Sequence, residues 1–207
     1  ERVYPSLSDL PTTPDCAVLA VPNPQLVPVM EEAAELGVPS AVIFASAHDG
    51  QEERQGSLEE TLAAVARENG LVVCGPNCMG FLSFEHNLTV SGYPVVPGTP
   101  GGHVTLISHS GSVFDSLWQN DRQIYFNYVV SSGNEMVTTM ADYMLFALEN
   151  ASTRVIALFL ETVRDEAHRA GAFVIFDEIT IGWRRCLGGA HLGLAVEPDL
   201  AVFAKAL

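Results

Sequence analysis

The sequence predicts an α/β protein built on parallel strands, and three observations carry that prediction. Short, predominantly apolar runs recur at residues 15–23, 41–44, 71–74, 104–107, 125–130 and 155–160. They lack the in–out alternation of a strand with one wet face, as strands covered on both faces do. Between most of them lie segments of helical length with an apolar face, so the order is strand, helix, strand, repeated. Several of the runs stop at Pro, Asn, Ser or Gly, the residues that turn a chain out of a sheet.

Each element has a local reason. Asp15 to Asn23 is an apolar run ended by Pro22 and Asn23. Gln25 to Leu36 places Leu26, Val29, Met30, Ala33 and Leu36 at helical spacing and stops at Gly37. Ala41 to Phe44 is the next strand, and a polar loop from His48 to Gly56 follows. Ser57, with Glu60 three residues on, forms a capping box that opens a helix to Asn69, closed by Gly70. Leu71 to Cys74 is a third strand.

Gly92 to Gly102 holds three prolines and four glycines and reads as a linker between two units. The rhythm then resumes: strand Val104–Ile107, helix Ser110 to about Asn120, strand Tyr125–Val130, helix Thr138–Glu149, strand Val155–Leu160. A shorter third piece follows, with a helix near Glu166–Ala170, a strand Phe173–Phe176, a loop at Gly188-Gly189 and an apolar run Leu200–Ala204.

Composition bounds the partners. Of 207 residues, 25 are Asp or Glu against 10 Lys or Arg, a formal charge of −15. Lys205 is the only lysine. So acidic a chain repels a phosphate backbone and an anionic membrane surface, which argues against nucleic-acid and membrane binding. No apolar run reaches the roughly 20 residues of a membrane span. Cys16, Cys74, Cys78 and Cys186 show neither a disulfide framework nor a second ligand pair for zinc, so free thiols and no metal are expected. Asn87-Leu88-Thr89 fits a glycosylation acceptor, but no secretory signal pattern accompanies it, and a cytoplasmic location is expected.

In parallel sheets, ligands gather at the carboxyl ends of strands. Four loops stand there. Val21-Pro22-Asn23-Pro24 reads equally as a turn that ends a strand. Gly75-Pro76-Asn77-Cys78-Met79-Gly80 has a constrained backbone that could lie along a flat ligand. Ile107-Ser108-His109-Ser110-Gly111-Ser112 joins a strand to a helix with small residues that leave amide N–H groups uncovered, which suits an anion; ordinary N-capping by Ser108 or Ser110 explains the same residues. Ser131-Ser132-Gly133-Asn134 repeats that chemistry on the next strand. A Ser-His hydrolase is disfavoured, because adjacent residues point apart and G-x-S-x-G is not matched. Glu161 ends a strand where a carboxylate could orient a cation or an imidazole, or simply be solvated.

Five motifs in this order resemble the NDP-forming acyl-CoA synthetases, the superfamily of the succinyl-CoA synthetase α subunit: Tyr4 to Pro11, Gly75-Pro-Asn-Cys-Met-Gly80, Ile107-Ser-His-Ser-Gly-Ser112, Val130-Ser-Ser-Gly-Asn134 and Thr153 to Glu161. The resemblance covers about residues 1–165. It implies a Rossmann-like CoA-binding unit at 1–98, lacking its first strand and Gly-rich turn, and a flavodoxin-like ligase unit at 99–165. It implies synthesis of an acyl-CoA from a carboxylic acid, CoA and a nucleoside triphosphate, through an acyl phosphate and a phosphohistidine. Val21, Pro22, Phe44, Ala45, Ser46, Asn77 and Cys78 would face CoA. Ser108, Ser110 and Gly111 would open the helix that holds the phosphate, and Glu161 would orient the phosphohistidine. His109 stands where the family usually has Gln or Arg, so it does not match that histidine. The phosphohistidine itself and the nucleotide-grasping domain or subunit that would handle ATP or ADP have no counterpart in the sequence.

Near Asp165 the chain changes character. Glu166 to Arg184, Leu187-Gly-Gly-Ala-His-Leu192 and Glu197 to Lys205 resemble class III pyridoxal-phosphate aminotransferases of the glutamate-1-semialdehyde aminomutase group. That likeness implies a pyridinium partner at Asp177, a Schiff-base lysine at Lys205, and pyridoxal phosphate as cofactor. The loop that holds the cofactor phosphate is missing. Three functions stand open from the sequence: an acid–CoA ligase, an aminotransferase or aminomutase fragment, and a catalytically incomplete binding module.

Overall fold

The computed structural model describes residues 2–48, 56–96, 98–120, 123–159, 175–177 and 200–202. The chain divides into a unit Glu1–Phe159 and a unit Leu160–Leu207.

In the first unit, β1 (Ala17–Leu19), β2 (Ser40–Ile43) and β3 (Val72–Cys74) form a parallel sheet in the order β1-β2-β3. Helices α1 (Asn23–Glu35) and α2 (Leu58–Asn69) make the crossovers. Leu26, Met30 and Ala33 of α1 and Leu62, Ala63 and Ala66 of α2 are buried against Leu19, Ala41, Ile43 and Val73. This is the strand–helix rhythm of the sequence, now packed as one core. Ser57 caps α2 by accepting from the Glu60 amide at 3.2 Å. The Glu60 carboxylate reaches back one residue further than a capping box requires, to the Gly56 amide at 2.6 Å. At the other end, Gly70 adopts φ +69°, and the Leu71 amide donates to Ala66 O at 2.9 Å.

The second sheet has five strands in the order β5-β4-β7-β6-β8. Its β6 (Val104–Ser108), β7 (Phe126–Ser131) and β8 (Val155–Phe159) are parallel, joined through α3 (Gly111–Trp118) and α4 (Met140–Glu149). To these is added a hairpin not anticipated from sequence, β4 (Gly80–Ser83) and β5 (Leu88–Ser91), with β4 antiparallel to β7. Thus the strand directly after the Gly75–Gly80 loop belongs to the second sheet. The Pro/Gly-rich stretch read as a linker lies on that sheet: Tyr93 and Val95 pack with Leu82, Leu106, Phe114 and Trp118. Phe81, Val90 and Tyr143 pack against Val42 and Cys74 of the first sheet and Cys78 of the loop that follows it.

In the second unit, β9 (Ile175–Asp177) and β10 (Leu200–Val202) pair in parallel. Among the described residues, no helix is long and apolar enough to cross a membrane, and no cluster of His, Cys, Asp or Glu could hold a metal ion.

Candidate functional site

The loops singled out in the sequence lie at the carboxyl ends of neighbouring strands, and backbone hydrogen bonds connect them in series. At the ends of β1 and β2, the Phe44 amide donates to Leu19 O at 3.2 Å, and Asn23 Nδ2 donates to His48 O at 3.0 Å. From β2 to β3, the Asn77 amide donates to Ala45 O at 2.8 Å. Val21, Phe44 and Ala45 are half-buried, whereas Pro22, Ser46 and Asn77 are exposed. This edge therefore presents a row of short loops to solvent.

The Gly75–Gly80 loop holds the two sheets together. Asn77 has φ +57°, and the Gly75–Pro76 peptide is cis. Asn134 and Met136 amides donate to Pro76 O and Gly75 O at 2.9 and 3.2 Å. The Met79 amide donates to Ser131 Oγ at 3.0 Å, and Asn77 Nδ2 donates to Asn134 Oδ1 at 3.3 Å. Cys78 is fully buried and its thiol donates to Ile43 O at 3.3 Å. Cys74 donates across 3.9 Å to Cys78 Sγ. That bond, then burial, pushes the Cys74 thiol well up, while the same donor holds Cys78 below the ordinary thiol range. So Cys78, expected to face a ligand, faces the core.

The third loop keeps Ser108 and Ser110 inside, with Gly111 half-buried and Ser112 exposed. Ser108 is fully buried; its Oγ donates to Ser110 O at 2.9 Å and accepts from the Ser110 amide at 3.1 Å. No side chain caps α3, because Ser110 Oγ turns instead to Ser112 Oγ at 3.0 Å. The first amides of α3 thus keep the orphan donors of a helix N-terminus. Gly111 faces Met79: a Cβ built there would lie 2.7 Å from Met79 Cγ. The fourth loop meets the third through the Ser132 amide, which donates to Ser108 O at 2.9 Å. Ser132 Oγ is buried with no partner among the described residues.

Sequence reasoning missed one member of this cluster. His109 Nε2 donates to Glu135 Oε1 at 2.8 Å, and Glu135 Oε2 accepts from the Met140 amide at 2.8 Å. Glu135 has φ +58°, a left-handed turn that brings its carboxylate back to the β6 loop. Only the proximity of Glu135 to the Ser-Ser-Gly-Asn motif could have pointed to it. Glu161 and Lys205 lie outside the described residues, and Asp177 is described only as the last residue of β9. Three cavities, of about 320, 450 and 60 Å³, are lined by the hairpin, by Val95, Val96, Gly98, Thr99 and Pro100, and by parts of α3, α4 and β7; none of the described residues expected to bind a ligand lines them.

The chain is similar to known proteins in sequence and fold. Residues 1–83 match the CoA binding domain, and residues 101–173 match the succinyl-CoA ligase like flavodoxin domain. A trans-feruloyl-CoA synthase from an unknown prokaryotic organism is 32% identical over 170 residues, 79% of this chain and 24% of that protein. The α subunit of ADP-forming acetate–CoA ligase I from Pyrococcus furiosus is 32% identical over 168 residues, 79% of this chain and 36% of that subunit. The structure of a Ca. Korarchaeum cryptofilum dinucleotide-forming acetyl-coenzyme A synthetase 1, in complex with phosphate and ADP, aligns with TM-score 0.70 at 26% identity. It covers 98% of this chain and 40% of that one. Separately, 51 residues, 25% of this chain, are 45% identical to 12% of a glutamate-1-semialdehyde 2,1-aminomutase from Pyrobaculum arsenaticum. The chain spans about a quarter to a third of the length of the ligases it matches. Its two matched segments resemble the CoA binding domain and the flavodoxin-like domain of succinyl-CoA ligase, and over 79% of its length the chain is similar to an ADP-forming acyl-CoA ligase subunit.

Proposed function

We infer that this chain supplies the CoA-binding and phosphoryl-handling part of an NDP-forming acid–CoA ligase. One observation carries the reading: the Gly75–Gly80 loop, at the end of the first sheet, is bonded to Ser131 and lies against Gly111 at the opening of α3. A thiol substrate lying along the first sheet edge would there meet an anion held by helix amides. The similar synthetase whose structure is in complex with phosphate and ADP is in keeping with a chemistry that handles phosphate.

In this reading residues 1–98 bind CoA along Val21, Pro22, Phe44, Ala45, Ser46 and Asn77. Residues 99–165 hold the phosphoryl group with Ser108, Ser110 and Gly111, and Glu161 orients the phosphohistidine of the family reaction. Cys78 supports the CoA loop from within the core, through its bond to Ile43 O. ATP or ADP is handled by a nucleotide-grasping domain or subunit, in keeping with the α-subunit relative. The carboxylic acid is one that can be activated as an acyl phosphate. The tail of residues 166–207 adds no activity to this reading. Its described residues are two short strands, and its likeness spans 12% of an aminomutase.

Calorimetry tests the reading. Titrated separately with CoA and with inorganic phosphate, the protein is expected to bind both. Absence of heat at millimolar CoA overturns it.

A further inference from the structure

The structure joins a histidine and a carboxylate at the one place where the two proposed ligands would meet, and the reading above uses neither. His109 follows β6, and its amide donates to Phe159 O at 3.0 Å, so its backbone is anchored to β8. Its ring is largely enclosed, with 18% of the side chain exposed, and Glu135 opposite is 16% exposed. A carboxylate only accepts hydrogen bonds, so the 2.8 Å contact fixes the proton on Nε2. That leaves Nδ1 without a partner among the described residues. Glu135 in turn is held by the Met140 amide at the first residue of α4. An imidazole with one nitrogen tied to a clamped carboxylate and the other open is the base-and-orienter half of a triad; the nucleophile must come from the substrate.

The surroundings name that nucleophile. Glu135 is next to Asn134, which is bonded to Asn77 of the loop proposed to face CoA. His109 is next to Ser108 and Ser110, which open the helix proposed to hold the phosphoryl group. A thiol attacking an acyl phosphate must lose its proton as its sulfur bonds to the acyl carbon.

Resting on the ligase reading, we propose that His109 is the general base for the CoA thiol, and that Glu135 is its positioning residue. His109 Nδ1 takes the thiol proton. The sulfur forms its bond to the acyl carbon, the carbon–oxygen bond to phosphate breaks, and phosphate leaves with that electron pair. Glu135 stabilises the imidazolium that results, and the reverse reaction returns the proton to the departing thiol.

The test follows acetyl-CoA formation from acetyl phosphate and CoA with the full chain, alongside calorimetry with CoA and phosphate. Circular dichroism verifies the fold of each variant. His109→Gln is expected to lower kcat about 100-fold, the usual worth of a positioned base, with CoA and phosphate affinities unchanged. Glu135→Gln is expected to lower kcat about 10-fold without raising KM for CoA, and Glu135→Asp to recover part of the loss. A His109→Gln protein that forms acetyl-CoA at the parental rate overturns the assignment and leaves the ligase reading standing. So does a parent chain that binds CoA and phosphate yet forms no thioester. A parent chain that binds neither overturns the ligase reading itself.

Discussion

Gly133 stands directly over Pro76: a Cβ on Gly133 would lie 2.1 Å from the Pro76 carbonyl oxygen, and Gly133 itself has φ +64°. Both constraints exclude a side chain. Two loops of different sheets meet there, and the neighbouring Asn134 amide donates to the same Pro76 oxygen at 2.9 Å. Gly133→Ala therefore has to move the loops apart as well as strain its own backbone. The expected loss is about 2–4 kcal/mol. Urea unfolding of the variant measures it, and CoA titration of the same sample is expected to show weakened binding. An unchanged midpoint would mean that the two loops yield independently.

Asn127 carries a different kind of constraint. Its Oδ1 accepts from Thr105 Oγ1 and the Tyr128 amide at 2.8 and 2.9 Å, and its Nδ2 donates to Ser152 and Thr153 hydroxyls, both at 2.8 Å. All of this happens at 1% exposure. Asn127→Leu keeps the bulk and removes all four bonds at a buried position, leaving Thr105 and Thr153 only each other and Ser152 only Glu85 and Asn150. The expected cost is about 2–4 kcal/mol, read as a lowered denaturant midpoint with an unchanged slope.

The parts of this fold that could be read from sequence are those that owe their character to burial on both faces. β1 and β3 each keep one exposed valine, Val18 and Val72. By contrast, β2 is buried from Ala41 to Ile43 and β6 from Thr105 to Ser108, and the apolar Ala41-Val42-Ile43 and Leu106-Ile107 within them leave a signal in a single chain. The hairpin leaves none. Leu88 and Thr89 of β5 are exposed and its last two residues are half-buried, so no alternation marks it. Its turn, Phe84–Asn87, holds no glycine; Asn87 supplies the left-handed residue, at φ +50°. The box of Thr139 and Asp142 at α4 was likewise not singled out, since Asp is a weaker signature at that position than Glu. For the site, loops after strands identify themselves, but their pairings do not. Cys78 looked like a loop residue and is core, while Glu135 reaches His109 across 26 positions by a backbone turn.

Acid stability is expected to depend in part on Glu85, an exposed carboxylate. Its carboxylate accepts from Ser152 Oγ at 2.8 Å, Tyr128 Oη at 2.9 Å and Asn150 Nδ2 at 3.3 Å. These donors, Ser152 first, hold it below the ordinary 4.5. A depressed carboxylate contributes stability above its unfolded value and loses it as pH falls through the folded one. Thermal unfolding of the parent is therefore expected to weaken as pH drops from about 5 to 3. Glu85→Gln, which does not titrate, is expected to start lower and to fall less over that interval. Parallel curves for the two proteins would remove Glu85 as a contributor.

The thiols offer a probe of the loop that joins the sheets. Cys16 is half-buried, whereas Cys74 and Cys78 are 6% and 0% exposed. Alkylation mapped by peptide mass spectrometry is therefore expected to label Cys16 in the folded protein well before either partner of the pair. Cys78 carries the lowered value of the two because Cys74 donates to it, so any opening of the Gly75–Gly80 loop exposes the more reactive sulfur first. Cys74→Ala removes that donor. Its effect is expected to be a rise in the pH at which Cys78 reacts, seen by repeating the labelling across a pH series. Ligand adds the decisive contrast: if CoA lies along Asn77, saturating CoA holds the loop closed and slows labelling of Cys78 in proportion to occupancy. Labelling of Cys78 that ignores CoA while CoA demonstrably binds would place the ligand elsewhere on the strand edge.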